Sequence, residues 1–268
     1  MLTKDIISIN HLDGFKLYNM SVILNGNVVG NGRFIFGPDI VTNGLVLYLD
    51  AANKLSYPGT GTSWFDITGN GNTGTLTNGP TFNSSNAGSI VFDGTNDYVL
   101  INNPTNFENQ NFTISVWINP ETQNANLVAM IDFEHANITT QNWVVQSEDA
   151  ITNRYYYLAW NDGSSFQPVG SFGVGKGIQI TTSSWQNITY TKNGTSLLGY
   201  LNGVQVYNAT GTNANVNYGN NKNFSIGGLV TSARNFKGNV SNNALYNRAL
   251  SGSEVLQNYN AIKGRYGM

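Results

Sequence analysis

The feature that most constrains this chain is a series of short apolar runs broken, roughly every 8–12 residues, by clusters of Gly, Asn, Thr and Ser. The series is clearest over residues 44–98. It opens with Gly44-Leu45-Val46-Leu47-Tyr48-Leu49-Asp50-Ala51 and continues through Ser63-Trp64-Phe65-Asp66-Ile67-Thr68-Gly69-Asn70-Gly71-Asn72 and Gly74-Thr75-Leu76. It closes on Ser89-Ile90-Val91-Phe92-Asp93-Gly94-Thr95-Asn96-Asp97-Tyr98-Val99. Gly and Asn supply the positive-φ positions and side-chain-to-backbone turns that tight reversals require, while the runs between them supply a core. Runs this short, reversed this often, point to an antiparallel β sandwich.

Composition narrows the function classes. A chain of 268 residues suits one large β domain or two small ones, and buries enough apolar surface to need no disulfides. It has no cysteine, which excludes a disulfide framework, a thiolate zinc site and a cysteine nucleophile. Charged residues are 10% of the chain, against about 25% in an average soluble domain. The polar surface must therefore come from Asn, Thr, Ser, Gln and Gly. Such short neutral side chains suit sugar hydroxyls, and equally suit a surface that packs into a large assembly. The net charge of −2 provides no basic field for nucleic acid and no polybasic segment for an anionic membrane. Met1 to Asn10 carries Lys4 and Asp5 and does not read as a secretion signal. No run approaches the ~18 apolar residues of a membrane span.

Before residue 41, Phe15 to Leu24 reads as a strand, Asn25-Gly26 as a type I′ turn, and Asn27 to Val29 with Arg33 to Phe36 as the return. A lone hairpin is marginal in water, so this one must pack on the main domain, on a sister subunit or on another protein. Residues 1–40 are thus expected to form a hairpin arm, and residues 41–268 the main domain. Further strands are expected at 112–118, 127–131, 142–146, 154–160, 185–190, 196–201, 204–207, 224–227 and 240–246. One helix is expected at about 252–263. Ser251 stands as its N-cap with Glu254 three residues on, Val255, Leu256, Tyr259 and Ile262 form its apolar stripe, and Gly264 is placed to end it.

These motifs, in this order and spacing, resemble the laminin-G-like jelly rolls of the concanavalin-A-like lectin/glucanase superfamily. The resemblance runs over about residues 44–262. Its pieces are Gly44 to Ala51, the Trp64 to Asn72 loop, Phe92 to Tyr98, Phe112 to Ile118, the Trp185 strand, Tyr200-Leu201-Asn202-Gly203, Phe224-Ser225-Ile226-Gly227 and Leu245-Tyr246-Asn247-Arg248-Ala249-Leu250-Ser251. The fold implied is an all-β jelly-roll sandwich with an N-terminal hairpin arm and a C-terminal helix. A narrower resemblance joins Ile40 to Leu47, Tyr57-Pro58-Gly59 and Asn258 to Gly267 to domains found on head-decorating or tail-associated virion proteins of tailed phages, marine ones especially. It implies a location on the virion surface, after assembly in a bacterial cytoplasm. The partners implied are other virion proteins, further copies of the chain and host-surface glycans.

Some glucanases of the superfamily carry Glu-x-Asp-x-Glu on one strand, where period-2 alternation sets three carboxylates on one face for retaining hydrolysis. Here Asp132 and Glu134 match, but Met130 fills the nucleophile position. A thioether forms no glycosyl-enzyme intermediate, so no catalytic residue is expected. Asp93 and Asp97 flank a Gly-Thr-Asn turn. They read either as calcium ligands, as at a rim of many family members, or as caps of the turn. The stretch that often supplies further Asp ligands in the family is Val240-Ser241-Asn242-Asn243 here. Trp117 and Trp185 read as core, and Trp64 as covering an edge. Trp143, Tyr156 and Trp160 read as core, as a stacking platform for sugar rings or as a subunit interface. His11 and His135 have no metal-like company, and Gly173-Val174-Gly175-Lys176-Gly177 lacks P-loop spacing and reads as a turn.

The reading reached is a non-enzymatic phage virion structural protein displaying a lectin-like domain. A bacterial lectin-like adhesion module and a degenerate glycoside hydrolase are the alternatives.

Overall fold

The computed structural model describes the backbone of residues 3–12, 15–24, 27–36, 39–122, 128–134, 142–147, 154–168, 176–218, 223–228 and 234–268. Side chains are described over the same segments, apart from residues 3–36, 128–129 and 133–134. The Asn25-Gly26 turn, His135 and residues 173–175 lie outside the described set, as does the side chain of His11.

Residues before 40 form a three-stranded antiparallel sheet of β1 (Thr3–Leu12), β2 (Phe15–Leu24) and β3 (Asn27–Phe36). The expected hairpin is the β2–β3 pair. The sequence reading missed β1, which pairs along β2 with one bulge between Ile6 and Ser8. Among the described residues these strands pair only with one another.

The remaining strands are β4 (Leu45–Asp50), β5 (Ser63–Trp64), β6 (Gly74–Thr77), β7 (Thr81–Asn83), β8 (Ser89–Asp93), β9 (Tyr98–Asn102), β10 (Phe112–Pro120), β11 (Val128–Glu134), β12 (Trp143–Ser147), β13 (Tyr155–Asn161), β14 (Phe166–Gln167), β15 (Ile178–Gln179), β16 (Gln186–Asn193), β17 (Ser196–Leu201), β18 (Val204–Thr210), β19 (Asn223–Ile226) and β20 (Lys237–Tyr246). They form two antiparallel sheets. One has eight strands in the order β18-β17-β16-β10-β20-β8-β7, with β4 also on β20; the other has nine in the order β14-β13-β12-β11-β19-β9-β6-β5, with β15 also on β13. The long strand β20 holds two partners end to end, β8 along 237–240 and β4 along 242–246, with a bulge at Ser241 between them.

Alternation along the strands decides what each face does. Leu47, Leu49, Ile114, Val116, Ile188 and Leu197 of the eight-stranded sheet enter the sandwich core, with Val99, Ile101, Trp143, Val145, Leu158 and Phe224 of the other. Tyr48, Tyr200, Ala244 and Tyr246 point the opposite way. With Val41, Leu250 and Val255 they make a second cluster under the C-terminal helix. The helix α1 (Gly252–Ile262) starts with the expected capping box between Ser251 and Glu254. Its buried side is Val255, Asn258 and Ile262 rather than the full stripe anticipated, and Leu256 is exposed. Asn258 is inside because it satisfies two buried groups: its Oδ1 accepts the Val41 N–H at 2.7 Å and its Nδ2 donates to the Tyr246 hydroxyl at 3.0 Å.

Gly264 does not end the helix. A 3-10 turn over Lys263–Tyr266 continues it, and Gly267, at φ +73, provides the left-handed residue. The extra turn is held by packing. The Tyr266 ring lies between Trp117, at 4.4 Å, and Trp185, at 4.5 Å, with Tyr259 stacked on Trp117 at 5.6 Å. Trp117 is thus buried as anticipated, but beneath the helix rather than between the sheets. Trp185 lies beside it, half-buried, and Trp64, expected at an edge, is fully buried in the core.

At Asn243 the apolar pattern of the core is broken. Asn243 is opposite Val116 and Leu49, both core residues, and neither polar atom of its fully buried amide has a hydrogen-bond partner. Burying an amide this way costs about 1–3 kcal/mol. Asn243→Val is therefore expected to raise stability by about 1–2 kcal/mol in urea denaturation; a variant no more stable than the parent would contradict the assignment.

Candidate functional site

The three side chains read as a sugar platform are interior. Trp143 and Trp160 face each other across the β12–β13 ladder and so share a face, and Tyr156 lies on that face four residues along β13 from Trp160. All three belong to the sandwich core, at 0%, 1% and 0% exposure for Trp143, Tyr156 and Trp160. Trp143 stacks on Phe112 at 4.9 Å and meets the Phe224 ring edge-on. Residues 211–214 cover Trp160: its Nε1 donates to the Asn213 carbonyl at 3.2 Å, and Gly211 lies so close that an added Cβ would stand 2.7 Å from the indole. Burial pushes the Tyr156 phenol up to about 12, against the opposing pull of Arg154 and Ser147. None of the three offers a ring face to a sugar. A run of three tyrosines puts aromatics on both faces of a strand, and sequence alone did not say which face was inside.

The other side of the same strands carries Val144, Tyr157 and Ala159, with Phe166 packed against them. Asp132 joins this row, being directly opposite both Val144 and Ser225. Gln146 donates to the Tyr157 hydroxyl at 2.7 Å and accepts from Arg234 at 3.2 Å. Asp132, Gln146 and Tyr157 are all buried.

The Met130-x-Asp132-x-Glu134 alignment loses its common face. A bulge lies between Ala129 and Ile131 on β11, and both Met130 and Ile131 enter the sandwich core. Asp132 faces outward, so the inserted residue breaks the alternation that would set Met130 beside it. The Glu134 side chain lies outside the described residues.

Asp93 and Asp97 are engaged in their own turn. Asp97 Oδ2 accepts the Asp93 N–H at 2.9 Å, and Asp93 Oδ1 accepts the Thr95 N–H at 2.7 Å. Burial pushes the Asp97 carboxyl up; the hydrogen bond from Asp93 lowers it and the Asp93 charge raises it further. Calcium takes six to eight oxygen ligands and favours ionised carboxylates. Two carboxylates that cap a turn do not make that set, and among the described residues no group of three or more His, Cys, Asp or Glu is placed to hold a metal ion. We expect excess EDTA to leave the melting temperature unchanged, and a fall reversed by added calcium would overturn this account of the turn.

Sequence reasoning passed over two further groups. Lys192, fully buried, projects into the end of the sandwich. It donates to the carbonyls of Gln110, Gly194 and Ala214 at 2.6, 3.1 and 2.6 Å, with its Nζ 4.8 Å from the Trp160 ring centre. Asp50, at the end of β4, takes a bidentate pair from Arg265 at 2.7 and 2.8 Å. The capping box was legible, but not that Arg248 would reach both oxygens of its Glu254, at 3.0 and 2.6 Å.

Known structures share this architecture. Domain 4 of AbnA, a GH43 extracellular arabinanase from Geobacillus stearothermophilus, solved with arabinotriose, superposes with a TM-score of 0.59 at 19% identity, covering 80% of this chain and 98% of that one. The binding domain of botulinum neurotoxin serotype D superposes with a TM-score of 0.57 at 13% identity, over 82% of this chain and 52% of that one. A botulinum neurotoxin type C structure, described as dependent on two ganglioside molecules for cell entry, gives 0.59 at 13%, over 83% and 52%. This chain thus spans about half the length of the toxin chains. No curated protein sequence matches it. The laminin-G-like profile of the concanavalin A-like lectin/glucanases superfamily matches residues 93–256, more than half of the chain. The chain belongs to that laminin-G-like family of the concanavalin A-like lectin/glucanases superfamily.

Proposed function

We propose that this is a non-enzymatic protein of a tailed-phage virion surface, which displays its lectin-like sandwich outward and binds host-surface glycans weakly. The observation that carries the non-enzymatic part is β11, where a thioether fills the nucleophile position and is turned into the core. Glycan binding draws support from the family and from solved neighbours whose descriptions name arabinotriose and gangliosides. The arm reading draws support from the ladder pattern, since among the described residues β1 to β3 pair only among themselves. Other virion proteins and sister copies are the partners such an arm would engage. Among the described residues no helix is long and apolar enough to cross a membrane.

The test is to image purified particles with an antibody against the sandwich and to probe a glycan array with the full chain. Label on the particle surface and array signal without release of reducing sugar are expected. Unlabelled particles would remove the virion assignment, a silent array the glycan assignment, and turnover the non-enzymatic one. The close size match to the arabinanase domain, 98% of which is covered, favours a second reading: a carbohydrate-binding module of a bacterial surface protein. Array signal with unlabelled particles would select it.

A further inference from the structure

The geometry points to a cavity on the outer face of the eight-stranded sheet as a binding site for one neutral sugar unit. This inference rests on the glycan-binding reading above and gives it a place. The cavity, about 330 Å³, lies between strands β16 and β17 and the segment leading into the C-terminal helix. Ligand sites usually run ~300–1,000 Å³, so this one suits a single ring rather than a long oligosaccharide.

Its lining has the two-sided chemistry of a sugar. Leu198 offers an apolar surface over the buried Leu250 and Thr191, and Asn193 and Ser196 offer amide and hydroxyl groups. Thr191 and Leu198 are directly opposite in the β16–β17 ladder and so share the outer face. Asn193 and Ser196 are exposed and accessible from solvent, whereas the hydroxyl of the exposed Ser251 is committed to Glu254.

Charge selects the ligand class. Glu254 is the only ionisable group in the lining, and both of its oxygens are taken by Arg248. It also accepts the backbone N–H and the hydroxyl of Ser251, at 2.8 and 3.0 Å. Hydrogen bonding from Arg248, with help from Ser251, holds the Glu254 carboxyl down to about 2 despite its partial burial. The ion pair therefore persists at neutral pH and adds no net charge. Because Glu254 already occupies the helix N-terminus, that dipole is not available to a phosphate or carboxylate. A neutral polyol ring is what the remaining groups fit.

The walls are fixed before a ligand arrives. The Thr113 hydroxyl donates to the Arg248 carbonyl at 2.9 Å and accepts the Leu250 N–H at 2.8 Å, which ties residues 248–250 to β10. Leu250 and Val255 anchor the helix start in the outer cluster. Preorganisation of this kind lowers the cost of binding, but without an aromatic stacking surface the affinity belongs near ~1 mM.

The experiment titrates the isotope-labelled full chain with glucose, galactose, mannose, N-acetylglucosamine and arabinose, following amide shifts by NMR. Saturable shifts clustered at residues 191–198 and 249–254 are expected for at least one sugar. Ser196→Trp and Ala249→Leu, each placed to fill the cavity, are both expected to weaken binding about tenfold or more while leaving the melting temperature within error. If a sugar binds with shifts elsewhere, and both variants bind as tightly as the parent, the cavity assignment fails and glycan binding stands. If no monosaccharide shifts these amides while the glycan array stays positive, the cavity assignment again fails alone. If both NMR and array are silent, both readings fall. Tighter binding of N-acetylneuraminic acid than of any neutral sugar would overturn the ligand class.

Discussion

Lys192→Met is expected to lower the unfolding free energy by about 3 kcal/mol, a fall of roughly 6–12 °C in melting temperature for a chain of this size. Methionine keeps the length of the side chain but leaves the carbonyls of Gln110, Gly194 and Ala214 without the donor that now serves all three. The three acceptors are part-buried, so each loses about 1 kcal/mol with its donor, and the cation's attraction to Trp160 is lost as well. Relief from burying a charge offsets part of this, and three lost hydrogen bonds outweigh it. Urea denaturation is the measurement, and a variant within about 1 kcal/mol of the parent would contradict the assignment.

The same lysine carries a pH signature. Burial pushes its ammonium down to about 8. An unfolded lysine releases its proton near ~10.4, so between about pH 8 and 10 the unfolded chain holds a proton the folded chain has lost. Under those conditions this group makes stability rise with pH. The difference in stability between the parent and Lys192→Met is therefore expected to be flat below about pH 7 and to widen between about pH 8 and 10. The tyrosines titrate in both proteins and cancel in the comparison. A difference that stays flat or narrows over that range would show that the folded state retains the proton.

Asp50→Ala is expected to cost a further ~3 kcal/mol by a different route. The Asp50 carboxylate is 2% exposed and holds both donors of Arg265, the Tyr48 hydroxyl at 3.2 Å and the Ala52 N–H at 3.0 Å. Alanine leaves a guanidinium partly buried with no counter-charge, and leaves two neutral donors unpaired. Asp50→Asn keeps acceptor capacity and shape but loses the charge, so it is expected to cost about half as much. Arg265 is also what holds the C-terminal turn in place, so loosening it frees Tyr266 from between Trp117 and Trp185. Faster carboxypeptidase trimming and red-shifted tryptophan emission are expected in Asp50→Ala and Arg265→Ala alike. A double-mutant cycle with coupling below about 0.5 kcal/mol would remove the pair from the account of how the tail is held.

Much of the fold was legible because its signals are local. The loop that follows Trp64 shows how. Asp66 accepts the backbone N–H groups of Tyr48, Thr68 and Asn72, and Asn72 in turn bridges Val46 and Thr105. The Asn, Asp and Gly residues that marked this loop are the ones that hold it together. The capping box at Ser251 was legible for the same reason, since its partners lie three residues apart.

The candidate site was less legible. Trp143, Tyr156 and Trp160 carried a stacking chemistry that burial removes. Strict alternation along 130–134 failed at one inserted residue, and a bulge leaves little trace in a single sequence. The cavity beside Glu254 is assembled from strands near 191–198 and a loop near 249–254, with no motif linking them.

By itself the sequence determined the class of fold, the order of most strands, the start of the one α-helix among the described residues and the absence of cysteine chemistry. These follow from turn propensity, period-2 alternation and composition, each of which acts within a few residues. Only the tertiary structure decided which face of each strand is inside. It also set Lys192 against three carbonyls and joined Asp50 to Arg265, 215 positions away. Such choices depend on which surfaces meet when two sheets close over a core, and burial then fixes whether an aromatic ring or a charge is available to a ligand or committed to the fold.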